Sequence, residues 1–93
     1  MNSNDMKMIL AIVRDADLDE ILTELLSANF RVTRIASSGG FFRRGNATLM
    51  MGVDEHRVEE ALQIIRDHCA PTLDIAVKHA TVFVVDIDHF EQI

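Results

Sequence analysis

Four of the seven arginines (Arg31, Arg34, Arg43, Arg44), three of the four glycines (Gly39, Gly40, Gly45) and three of the five phenylalanines (Phe30, Phe41, Phe42) fall within residues 29–48. That stretch holds no acidic side chain, although the chain as a whole carries a net charge of −6. A compact cationic, glycine-rich and partly aromatic segment suits a small anion bearing a flat ring, and a nucleotide is the obvious candidate. Glycines admit positive φ and let backbone N–H groups close on a phosphate. The guanidinium forks of Arg43 and Arg44 match phosphate oxygens, and Asn46 follows beside them. Phe41 and Phe42, being adjacent, cannot both enter one face of a strand, so one is exposed and able to stack on a base. Each feature also has a plain explanation. Gly39 and Gly40 suit a long hairpin turn, and the exposed phenylalanine can pack on a neighbouring subunit. Asn29, Arg31 and Thr33 can read a base edge or be solvated polar positions at the start of a strand.

Other chemistry has less to build on. His56, His68, His79 and His89 show no paired metal spacing, and Cys69 directly after His68 cannot share a helix face with it. Surface or edge histidines are the reading these spacings favour. Asp86 and Asp88 alternate on a strand end and form either a carboxylate pair or a solvated terminus. No Ser-His-Asp or Cys-His order is present.

The elements that must position these residues follow from hydrophobic periodicity. Residues 7–14 form a continuous aliphatic run, short enough for a strand buried on both faces. Asp17 and Glu20 have capping-box spacing, and Leu18, Ile21, Leu22 and Leu25 then repeat at helical intervals, predicting a helix over 18–28. Asn29 suits a left-handed C-cap. Strands are expected over 31–36 and 47–53, antiparallel through the glycine-rich loop. A second helix opens at Asp54-Glu55, with Val58, Ala61, Leu62, Ile65 and Cys69 along one stripe, and ends by Pro71. Residues 73–78 suit a short strand, 81–87 a strong one, and 88–93 a single turn. The order is the βαββαβ of a ferredoxin-like α+β domain: a four-stranded antiparallel sheet with both helices on one face.

Ninety-three residues allow one domain, expected over 6–93 with residues 1–5 as a flexible N-terminal extension. The acidic balance argues against a nucleic-acid partner. No apolar run reaches membrane length and the first residues lack signal-peptide order, which with a single cysteine points to the cytoplasm. The far face of the sheet is also apolar, so a partner chain is expected over it, and three sheets closing around an axis would serve.

The residues carry a resemblance. Residues 6–13, the pattern Asn29, Phe30, Arg31, Thr33, Gly39, Gly40, Phe41, Arg43, Gly45, Asn46 and Thr48, then Gly52-Val53 and residues 80–93, are similar to the PII-like cyclic-di-AMP receptor family. The similarity runs through nearly all of the chain after residue 5. It implies a trimer of ferredoxin-like subunits, similar to PII signalling proteins, with one cyclic dinucleotide in each cleft between neighbours. It implies that Asn29, Arg31 and Thr33 contact base and phosphate while Phe41, Phe42, Asn46 and Gly52 line the pocket. It further implies contributions from Phe83 and Gln92, which composition and spacing alone do not single out. Two departures stand out. Only residues 69–79 separate the second helix from the last strand, where the family has a long loop, and His79 replaces a glycine.

The expectation is therefore a non-enzymatic homotrimer binding a small nucleotide, cyclic di-AMP, with no cofactor or metal and with an unknown protein partner. Its ligand-binding set is Asn29, Arg31, Thr33, Gly39, Gly40, Phe41, Phe42, Arg43, Asn46, Gly52, Phe83 and Gln92. Rival readings are a trimeric interaction module with a vestigial pocket, which the short link favours, and an acylphosphatase-like enzyme using Arg14 and Asn46. A metal-linked trimer is a further alternative.

Overall fold

The structure, a computed structural model, describes residues 5–37, 45–69, 80–89 and 91–93. The chain runs β1 (Met6–Arg14), α1 (Asp15–Ser27), β2 (Thr33–Ser37), β3 (Asn46–Asp54), a 3-10 turn (Glu55–Arg57), α2 (Val58–Asp67) and β4 (Ala80–Asp86). The strands form one sheet in the order β2-β3-β1-β4, every neighbouring pair antiparallel. This is the ferredoxin-like βαββαβ arrangement.

Strand alternation divides the sheet into two faces. Ile9, Ala11 and Val13 of β1 and Ala47, Leu49, Met51 and Val53 of β3 are buried in one cluster with Leu18, Ile21 and Leu25 of α1 and Ala61 and Ile65 of α2. Both helices therefore cover the same face. The opposite face carries Met8, Leu10 and Ile12 in register with Val85, Phe83 and Thr81 on β4 and with Gly52, Met50 and Thr48 on β3. β1 is thus fully buried on its helix side and half-buried on the other, where two buried faces are expected from its sequence.

Several boundaries differ from the sequence reading for local reasons. α1 starts at Asp15, its N-cap Arg14 making no side-chain cap bond, so Asp17 and Glu20 do not form a capping box. Asp17 is instead buried at 3 % exposure in the first turn, where Arg14 donates to it through Nε and Nη2, both at 2.9 Å. β2 begins at Thr33 rather than residue 31, because the end of α1 uses the intervening residues. Asn29 has φ 68°, its N–H bonds the Leu26 carbonyl at 3.0 Å, and the Phe30 N–H bonds the Leu25 carbonyl at 3.0 Å. That pattern is a Schellman motif closed by two buried side chains, Leu25 and Phe30. Asp54 completes β3, and one 3-10 turn precedes α2. α2 ends at Asp67, short of Cys69, which is half-buried with its Sγ against the Ile65 carbonyl at 3.1 Å. The described part of residues 88–93 contains no helical turn; Ile87 N–H instead bonds the Met6 carbonyl. The short strand expected over 73–78, and Pro71, lie outside the described residues.

Candidate functional site

The site grows from the end of α1. Because the Schellman motif places Asn29 in the left-handed region, the chain turns sharply and presents Asn29 and Arg31, both exposed, at one end of the sheet. Thr33 follows on the edge strand, opposite Met50 of β3. Two residues further along β3, Gly52 pairs with Met8 of β1. Among the described residues, a Cβ added at Gly52 would meet only Met6 Cε, at 3.6 Å. The missing side chain thus leaves surface open there rather than relieving a clash.

Two depressions lie against these residues. One, of about 390 Å³, is lined by Met6, Arg31, Thr33, Met50, Met51, Gly52 and Gln92. The other, of about 200 Å³, is lined by Met6, Asn29, Phe30, Arg31, Gly52, Val53, Asp54 and Arg57. Met6, Arg31 and Gly52 line both, so the depressions adjoin and Arg31 belongs to each. Among the described residues the Arg31 guanidinium has no hydrogen bond or ion pair. Arg57 is committed: it forks Glu60 through Nε to Oε1 at 2.9 Å and Nη2 to Oε2 at 3.0 Å. That pair raises the Arg57 pKa and holds the Glu60 carboxyl below its ordinary value.

Five of the residues expected from sequence therefore come together: Asn29, Arg31, Thr33, Gly52 and Gln92. Asn46 and Phe83 line neither depression. Asn46 shares a face with Gly52 but sits six residues away along β3, roughly 20 Å at ordinary strand rise. Phe83 lies in the row of Met50 and Leu10, two strands over, and is 52 % exposed. Gly39, Gly40, Phe41, Phe42 and Arg43 lie outside the described residues, as does Arg44.

Met6, Met50, Met51, Asp54 and Arg57 line the depressions without having been singled out. The methionines read as ordinary strand residues, and no local pattern marks them as lining. Of the Arg57 contacts, only the i, i+3 spacing to Glu60 is visible in sequence. The histidines are dispersed. His56 is exposed, His68 Nδ1 meets Glu20 at 3.1 Å, His89 Nε2 meets Glu91 at 3.2 Å, and His79 is outside the described residues. Among the described residues no group of three or more His, Cys, Asp or Glu could hold a metal ion. No described helix is long and apolar enough to cross a membrane.

The fold is that of PII-type domains. A crystal structure of Arabidopsis thaliana PII bound to citrate is similar at TM-score 0.65 and 18% identity, over 90% of this chain and 78% of that one. A crystal structure of a functionally unknown protein from Pediococcus pentosaceus ATCC 25745 is nearer, at TM-score 0.79 and 33% identity, over 97% of this chain and 99% of that one. Within this class the chain belongs to the cyclic-di-AMP receptor family, whose sequence profile matches residues 6–73. The match stops between α2 and β4.

Proposed function

We propose that this protein is a non-enzymatic signalling receptor that binds a cyclic dinucleotide, cyclic di-AMP, in a cleft between subunits of a homotrimer. The observation that carries this reading is the convergence of Asn29, Arg31, Thr33, Gly52 and Gln92 on two adjoining depressions with Arg31 common to both. A ligand with two rings joined through phosphates has matching parts. Arg31 would pair with a phosphate, and its lack of a carboxylate partner among the described residues keeps that charge available. The thioethers of Met6 and Met50 offer a polarizable apolar bed for a purine face. The amides of Gln92 and Asn29 each present a donor and an acceptor, the combination that matches the adenine N6/N7 edge. Gly39, Gly40, Phe41, Phe42 and Arg43 would close the site from the loop before β3. Asn46 and Phe83, which lie away from both depressions, would reach the ligand as a second wall contributed by a neighbouring protomer. Residues 6–93 would act as a single domain.

The enzymatic reading loses its central group. Arg14 and Asn46 do pair across β1 and β3, but Arg14 is held by buried Asp17, so it is not poised for an acyl phosphate. The interaction-module reading rests on the short link after α2 and predicts a trimer indifferent to nucleotides. Titration calorimetry with cyclic di-AMP, cyclic di-GMP, AMP, ADP, ATP and citrate separates the two. Saturable binding of cyclic di-AMP in preference to the others is expected. A folded trimer that takes up none of them at high micromolar concentration would end the receptor reading in favour of the module.

A further inference from the structure

The Arg57 side chain reaches back 29 residues to the end of α1. Nη2 donates to the Ala28 carbonyl at 2.9 Å, and Cζ stands 4.1 Å from the centroid of the Phe30 ring. Ala28 and Phe30 flank Asn29, and Phe30 immediately precedes Arg31. A single guanidinium thus grips both sides of the positive-φ residue from which the site is built. The last carbonyls of a helix lack intrahelical donors and carry partial negative charge. α1 has no basic residue in its own last turn, so Arg57 supplies from another element the cation that end requires. Arg57 is itself fixed by the two-bond fork to Glu60 on α2.

We propose that Arg57 is a positioning residue for ligand binding: through the Ala28 carbonyl and the Phe30 ring it fixes the turn that aims Asn29 and Arg31. The inference rests on the nucleotide reading of the site. Lysine at this position keeps a cation, with its three donors on a single nitrogen. It cannot bond the carbonyl, fork Glu60 and stack on the ring together, because those tasks use the planar, multi-donor geometry of guanidinium. Glutamate 60 belongs to the same device, one step further from the ligand.

The test compares wild type with Arg57→Lys, Arg57→Gln, Glu60→Gln and Arg31→Ala. Cyclic di-AMP calorimetry is run over a salt series, alongside backbone amide shifts of the ligand-free proteins. Arg57→Gln and Arg57→Lys are expected to raise Kd roughly tenfold, the scale on which groups one step removed from a ligand tune metal sites. Glu60→Gln should raise it less. The salt dependence of Kd should match wild type in Arg57→Lys, which keeps the charge, and Arg57→Gln should flatten it less than Arg31→Ala does, because a charge paired with Glu60 and off the phosphate contributes less to the salt-dependent part of binding. The Asn29 and Arg31 amides should shift in every Arg57 variant, with circular dichroism still showing the native helix content. Unchanged Kd with unmoved amides overturns the proposal, and so does a salt dependence flattened in Arg57→Gln as far as in Arg31→Ala, which would mean direct contact. If wild type binds no cyclic di-AMP, the receptor reading falls separately. The amide shifts then decide: movement at Asn29 and Arg31 supports positioning of the turn, and its absence refutes it.

Discussion

Asn29 has a backbone task and a proposed binding task that substitution can pull apart. Its φ of 68° lies in the region where a Cβ is penalised, by about 1–2 kcal/mol for ordinary L residues and less for asparagine. Asn29→Ala should therefore lower the thermal midpoint as well as weaken cyclic di-AMP binding. Asn29→Gly removes the same amide but suits the backbone, so its midpoint should stay near wild type while affinity falls. Differential scanning fluorimetry beside calorimetry reads both quantities; a glycine variant that binds like wild type would assign Asn29 to the turn alone. Arg31→Ala is the complementary case. Because its guanidinium makes no hydrogen bond or ion pair among the described residues, Arg31 should cost little stability when removed. The loss in binding should be about 1–3 kcal/mol, as for removal of one partner from a charge-assisted bond. At Gly52, alanine should fold normally, since its Cβ would meet Met6 Cε at an ordinary 3.6 Å. Gly52→Val would begin to fill the shared lining of the two depressions and should bind more weakly than Gly52→Ala.

At the scale of elements, the salt-linked junction between α1 and α2 gives a pH dependence of known sign. The hydrogen bond from Arg57 holds the Glu60 carboxyl below its ordinary value of 4.5 in the folded chain. A lowered folded-state value means that the stabilisation is fully present above 4.5 and is lost as pH falls through the folded-state value. The midpoint gap between wild type and Glu60→Gln should therefore be largest near neutrality and close in acid, measured by thermal unfolding across a pH series. A gap that stays constant into acid would remove the ion pair as its source. The elements themselves were legible because their signals are periodic: Leu18, Ile21 and Leu25 mark α1, and the apolar runs mark β1, β3 and β4. Ends were less legible because they depend on tertiary partners. Asp17 looks like a cap until Arg14 is seen to hold it, and the start of β2 moves to Thr33 because the Schellman turn uses Asn29 and Phe30. Of the residues lining the depressions, Asn29, Arg31 and Thr33 stand out in the sequence itself and Gly52 and Gln92 only through the family resemblance, whereas Met6, Met50 and Arg57 enter through strand register and a contact 29 residues distant in sequence. A single sequence carries no local mark of either.

At the scale of the whole molecule, one sheet has two faces and the helices cover one. The other presents Met8, Leu10, Ile12, Met50, Phe83 and Val85 in neighbouring register, with β4, an outer strand, largely exposed. Water against such a face is unfavourable in proportion to its apolar area, and an apolar outer strand invites pairing with another chain. Self-association is the economical remedy for a chain of 93 residues, and the proposed site adds a reason for it, because Asn46 lies six residues along β3 from Gly52, about 20 Å at ordinary strand rise. Sedimentation velocity should give a species three times the 10.5 kDa chain mass. Leu10→Asp, at the middle of the Met50–Leu10–Phe83 row, should yield monomers, because association would then bury an unpaired carboxylate. Leu10 faces away from the helix-covered core, so circular dichroism should still show the native helix content. Cyclic di-AMP binding should disappear together with the assembly. Native-like monomers of Leu10→Asp that bind as tightly as wild type would mean that one subunit suffices, and the wall assigned to a neighbour would have to be withdrawn.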